Sequence, residues 1–117
     1  VHIESGVSSS TLVFDHNNYD FGSGAEFLLF DTAYSFGEWQ SATGLDAHSF
    51  VANPGFLSSA PATPSDFVIQ ATSPNVGAGA ALGSSLALGL TPGSAWPGKV
   101  STTSQASAWD IGAFVVP

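Results

Sequence analysis

Nine carboxylates, three histidines and one lysine are the side chains with which this 117-residue chain could do acid–base or metal chemistry. Glycoside hydrolysis needs two carboxyls flanking one sugar bond, and the candidates are Asp15, Asp20, Glu26, Asp31, Glu38, Asp46, Asp66 and Asp110. No adjacent Asp-Asp pair occurs among them, and Glu38 has a local explanation as a helix cap. β-Elimination on an acidic polysaccharide needs a cation to stabilise the enolate and a base of suitable pKa, commonly Arg or Lys. Here the one cation, Lys99, follows Pro97-Gly98, and arginine is absent. His2, His16 and His48 lack the HxH or HExxH spacing of a zinc site. No G-x-S-x-G elbow supports a Ser–His–Asp triad. The expectation is a chain that is not an enzyme, with no catalytic residues and no cofactor.

Binding leaves two weak signals. Asp15, Asn17 and Asp20 offer hard oxygen ligands to calcium, although their spacing matches no EF-hand loop and an Asn/Asp ladder bonded to backbone would use the same side chains. His16, within Asp15-His16-Asn17-Asn18-Tyr19-Asp20, reads as part of such a polar stack. Trp96, between Ala95 and Pro97, is a candidate to stack on a sugar ring or to anchor its loop, whereas Trp39 and Trp109 are expected in the core. A polysaccharide is therefore a candidate partner. The net charge of −8 removes an electrostatic footprint for nucleic acid or anionic lipid. No apolar run approaches the ~20 residues that a membrane helix needs, so neither nucleic acid nor membrane insertion is expected. Absent cysteine, an acidic balance and a Ser/Thr/Gly-rich composition with 9% charged residues point to an extracellular or cell-surface location. The chain opens on Val1 without methionine, which reads as a processed form or a portion of something longer.

The elements that would position these groups are short. His2 to Glu4 and Ser8 to Phe14 read as extended, Asp15 to Tyr19 as a strand leaving a corner, and Glu26 to Asp31 as a buried strand. Ser35-Phe36-Gly37-Glu38 is a capping box that predicts a helix to Thr43, with Trp39 on its apolar face and Gly44 as its left-handed stop. Asn53-Pro54-Gly55 marks a turn and Ser58 to Ser65 a loop. Asp66 to Gln70 reads as the best strand, the Gly/Ala tract to Leu90 as irregular coil, and Thr91 to Ser107 as a second loop. Trp109 to Val116 reads as a last strand.

Three blocks occur in one order: Phe36..Trp39-Gln40..Thr43-Gly44.Asp46..Ser49.Val51.Asn53-Pro54.Phe56, then Asp66-Phe67.Ile69-Gln70..Ser73-Pro74.Val76..Gly79, then Trp109-Asp110-Ile111-Gly112-Ala113-Phe114. This series resembles the C-terminal end of bacterial right-handed parallel β-helix repeat proteins, the pectate-lyase-like superfamily in its broad sense. Gly77 departs from the pattern, because that family usually carries Asp there. The resemblance implies an all-β fold in a single domain: a few-rung parallel β-helix solenoid over about 1–35, a short helix over 36–44, and last strands with long capping loops over 45–117. It implies a non-catalytic, self-associating module of an extracellular scaffold, matrix or filament. The alternative is the end of a polysaccharide lyase or hydrolase whose groove lies in upstream rungs. An open first rung would leave strand N–H and C=O groups unpaired. The expected assembly face is His2, Ile3, Val7, Leu12 and Val13, covered by another copy or by upstream rungs.

Overall fold

The computed structural model describes residues 1–21, 27–94, 98–105 and 108–116. The chain divides into two compact units, Val1–Ala52 and Asn53–Pro117.

The first unit opens with β1 (His2–Ile3), a 3-10 turn at Ser9–Thr11 and β2 (Asn18–Tyr19). β3 (Phe27–Leu29) and β4 (Thr32–Tyr34) follow, then helix α1 (Phe36–Thr43) and β5 (Phe50–Val51). β1 pairs parallel with β3, with His2 opposite Leu28, and β2 pairs parallel with β5, with Asn18 opposite Phe50. β3 and β4 form an antiparallel hairpin. Phe30 and Asp31 make its two-residue turn with φ of 50° and 64°, the positive values that the right-twisted hairpin requires at both central positions. α1 is built as its sequence dictates. The Ser35 hydroxyl accepts from the Glu38 amide, the Glu38 carboxylate accepts from the Ser35 amide at 2.9 Å, and Gly44 closes the helix at φ 71°.

The core of this unit gathers Ile3, Phe27, Trp39 and Leu45, with Leu12, Phe14, Tyr19, Phe21, Leu29, Tyr34 and Phe36 packed around them. Phe27 is its centre, with ring centroids 5.1–5.5 Å from those of Tyr19, Phe21, Phe36 and Trp39. Such tilted and edge-on pairs are worth about 0.5–1.5 kcal/mol each beyond the area they bury.

The second unit has less regular structure. A 3-10 turn at Pro64–Phe67 is capped by Asp66, which accepts from the Thr63 amide at 2.8 Å. A further 3-10 turn at Ser84–Leu86 precedes β6 (Leu88–Leu90), which pairs antiparallel with β7 (Thr102–Ser104). Single bridges join Phe56 to Ile69, Gly79 to Trp109 and Leu90 to Phe114. Among the described residues, Val68, Ile69, Ala87, Trp109 and Phe114 are buried apolar side chains of this unit.

The solenoid expectation is overturned. A β-helix stacks parallel strands rung upon rung, whereas the described strands are two or three residues long and fall into three small sheets, two of whose pairings are antiparallel. The architecture is mixed α/β with few strands. The parallel pairs of the first unit bring together residues 26 and 32 apart in sequence, a rung-like separation, but a 3-10 turn and β2 intervene in the shorter connection, and the β3–β4 hairpin and helix α1 in the longer. Among the described residues of 1–35, no stacked rungs are found. The strand expected at Asp66–Gln70 begins instead as a 3-10 turn, because Thr63-Pro64-Ser65-Asp66 carries its own cap and a proline in the first turn. The segment expected as a last strand, Trp109 to Val116, makes only the isolated bridges at Trp109 and Phe114, while β6 and β7 lie in stretches expected as coil and loop.

Candidate functional site

Two polar clusters, both in the first unit, gather side chains from distant parts of its sequence. The first surrounds Asp46, which is 1% exposed. Its Oδ1 accepts from the Ser49 hydroxyl at 2.7 Å, the Asn17 amide at 3.0 Å and the Tyr19 hydroxyl at 3.0 Å, and its Oδ2 accepts from the Trp39 indole N–H at 3.0 Å. Its backbone is held as firmly: the Asp46 amide donates to the Phe14 carbonyl at 2.7 Å, and its carbonyl accepts from the Gln40 side chain at 2.7 Å. The sequence block from Trp39 to Ser49 is thus one hydrogen-bonded device. Helix α1 supplies the indole and Gln40, Gly44 turns the chain, and Asp46, at φ 58°, brings its carboxylate back under the helix.

Burial raises the proton affinity of the Asp46 carboxylate, but donation from Ser49, Asn17, Trp39 and Tyr19 outweighs it and holds the pKa below the usual aspartate value. The Tyr19 hydroxyl shifts the opposite way, to about 12, through burial and the adjacent carboxylate. A buried charge with this many donors is a structural anchor. Its lone pairs are engaged and it faces no open space.

The second cluster is Asp15, His16 and His48, whose potential ligand atoms all lie within 4.8 Å of one another. The Asp15 carboxylate divides its work. Oδ1 accepts the backbone N–H of His16 at 3.0 Å and of His48 at 2.7 Å, while Oδ2 faces His48 Nδ1 at 2.7 Å and His16 Nδ1 at 3.4 Å. The two imidazoles stack with centroids 4.9 Å apart. Although desolvation works against it, donation by the His48 ring and by the two backbone amides lowers the Asp15 pKa to about 2. Both histidines stand on fixed backbone. The Asn17 amide donates to the Ser49 hydroxyl at 2.8 Å, the Ser49 amide to the Asp46 carbonyl at 3.0 Å and the Phe50 amide to the Asn17 carbonyl at 3.0 Å. His16 has φ 56°, an uncommon conformation for a non-glycine residue.

In the second unit, an open groove of about 440 Å3 is lined in part by Val76, Thr103, Gln105, Asp110 and Val115. The Asp110 carboxylate in its lining is committed: Oδ1 accepts the Gly77 amide at 2.9 Å and Oδ2 the Val116 amide at 2.8 Å. Gly77, at φ 68°, is thus tied to a residue 33 positions away.

The calcium candidates separate: Asp15 turns to the histidines, Asn17 turns to Asp46, and Asp20 is exposed. Of the expected assembly face, Ile3 is buried and Leu12 packs on the core, so only His2, Val7 and Val13 remain exposed, Val13 at 90%. β1 is an edge strand of only two residues, and such short edges template further strands poorly. Trp96 lies outside the described residues. His48 and the hub role of Asp46 escaped the sequence reading. The available signal for Asp46 was its place between the Trp39-Gln40 helix and Ser49; none pointed His48 at Asp15, 33 residues away. No family model, curated protein or solved structure matches the chain.

Proposed function

We propose that the chain is a non-catalytic structural module of an extracellular or cell-surface protein that associates with copies of itself. The observation that carries this reading is the use made of its carboxylates. Asp46 ties four side chains together, Asp110 holds two backbone amides, Glu38 and Asp66 cap helical turns, and Asp15 joins two loops. Hydrolysis needs a carboxyl pair addressed to substrate, and these groups are addressed to the chain itself. Self-association draws support from Leu82, Leu86 and Leu88, which are 62%, 60% and 65% exposed within seven residues. The 9% charged composition adds to it, because few ions need be desolvated at a contact.

Purified chain is expected to leave pectate and alginate intact and to sediment as oligomers that dissociate in Leu86→Ser/Leu88→Ser. Turnover abolished by Asp15→Asn, Asp20→Asn or Asp31→Asn would overturn the non-catalytic reading. A concentration-independent monomer would overturn the self-association.

A further inference from the structure

We propose that Asp15, His16 and His48 form a binding site for a divalent transition-metal ion, with Zn2+ as its reference occupant. Two imidazoles and one carboxylate are a donor set suited to such ions, and three protein ligands leave coordination positions open. Zn2+ bonds of about 2.0–2.2 Å set neighbouring tetrahedral ligand atoms about 3.4 Å apart. His16 Nδ1 and Asp15 Oδ2 already stand at 3.4 Å. His48 Nδ1 is at 2.7 Å from the same oxygen, on a side chain that is 69% exposed and has room to swing outward around an ion.

The cluster also carries its own outer shell. Asp15 Oδ1 takes two backbone N–H groups, which orients the carboxylate and leaves Oδ2 for the imidazoles. Hydrogen bonds that aim a ligand in this way contribute to affinity as ligands themselves do. The net charge of −8 attracts cations to the chain as a whole. An ion here would staple the approach to β2 to the loop before β5, adding a cross-link to segments already paired.

Titration of the full chain with ZnCl2, followed by calorimetry and by the imidazole NMR signals, tests the site. The expected result is one equivalent bound, with the His16 and His48 rings shifting together. Affinity should fall at least about tenfold in His48→Ala and in Asp15→Asn. His48→Ala removes an exposed side chain, so loss of fold is not its expected consequence. His2→Ala, which removes the histidine 3.4 Å from Asp31, should bind as the parent does. Absence of binding, binding unchanged by His48→Ala in a chain with the parent's backbone spectrum, or shifts that follow His2 instead would each overturn the proposal.

Discussion

The two units of the chain solve the same problem with different materials. Residues 1–52 bury a cluster of aromatic rings and place one ionised carboxylate beneath it, where indole, phenol, amide and hydroxyl converge. Residues 53–117 hold their turns with small polar groups: the Ser73 hydroxyl donates to the Pro54 carbonyl at 2.6 Å, the Ile111 amide to the Asn75 carbonyl at 2.9 Å, and Asp110 accepts from two backbone amides. The first unit thus concentrates its stability at a few side chains, and the second distributes it along the backbone. The contrast teaches that a charge-poor chain can spend its rare carboxylates as cross-links, singly in a core or one turn at a time.

Trp39→Ala should break this contrast most severely. It removes a fully buried ring and leaves Asp46 without its indole donor, so a loss of at least about 3–5 kcal/mol is expected. Urea unfolding followed by amide signals of residues 1–52 measures it. Asp46→Asn comes next. Its amide group would meet donors in place of an acceptor, and a loss of about 2–3 kcal/mol is expected in the same signals. In the second unit Asp110→Ala should cost about 1–2 kcal/mol, read in amide signals near Gly77 and Val116, because two backbone N–H groups lose their acceptor. Ser35→Ala, which removes the N-cap of α1, should cost about 1 kcal/mol and show as faster amide exchange in the first helical turn. If Asp110→Ala proved costlier than Asp46→Asn, the contrast between the units would be reversed.

What could be read from the sequence follows the range of the interactions. Helix α1 was legible because Ser35, Glu38 and Gly44 act on their own neighbourhood. The β3–β4 hairpin was not, since Phe30 and Asp31 replace the Asn and Gly that usually announce two residues at positive φ. The solenoid expectation rested on motifs that mark a local device, the loop around Asp46, rather than a stacked repeat. Both polar clusters depend on contacts some 30 residues apart, with Asn17 reaching Asp46 and Asp15 reaching His48. Periodicity and capping carry no information at that distance.

The Asp46 carboxylate is ionised and structural, and the linkage of its protonation to folding tests this directly. Its folded pKa lies below its unfolded one. The stabilisation from this group is therefore complete above the unfolded value and is lost as pH falls below about 4 toward the folded value. The deciding measurement is the difference in unfolding free energy between the parent chain and Asp46→Asn, taken at neutral pH and again near about pH 2. The expected result is a large difference at neutral pH that shrinks in acid, as the parent carboxylate takes up its proton. A difference that is absent at neutral pH, or that grows in acid, would contradict it.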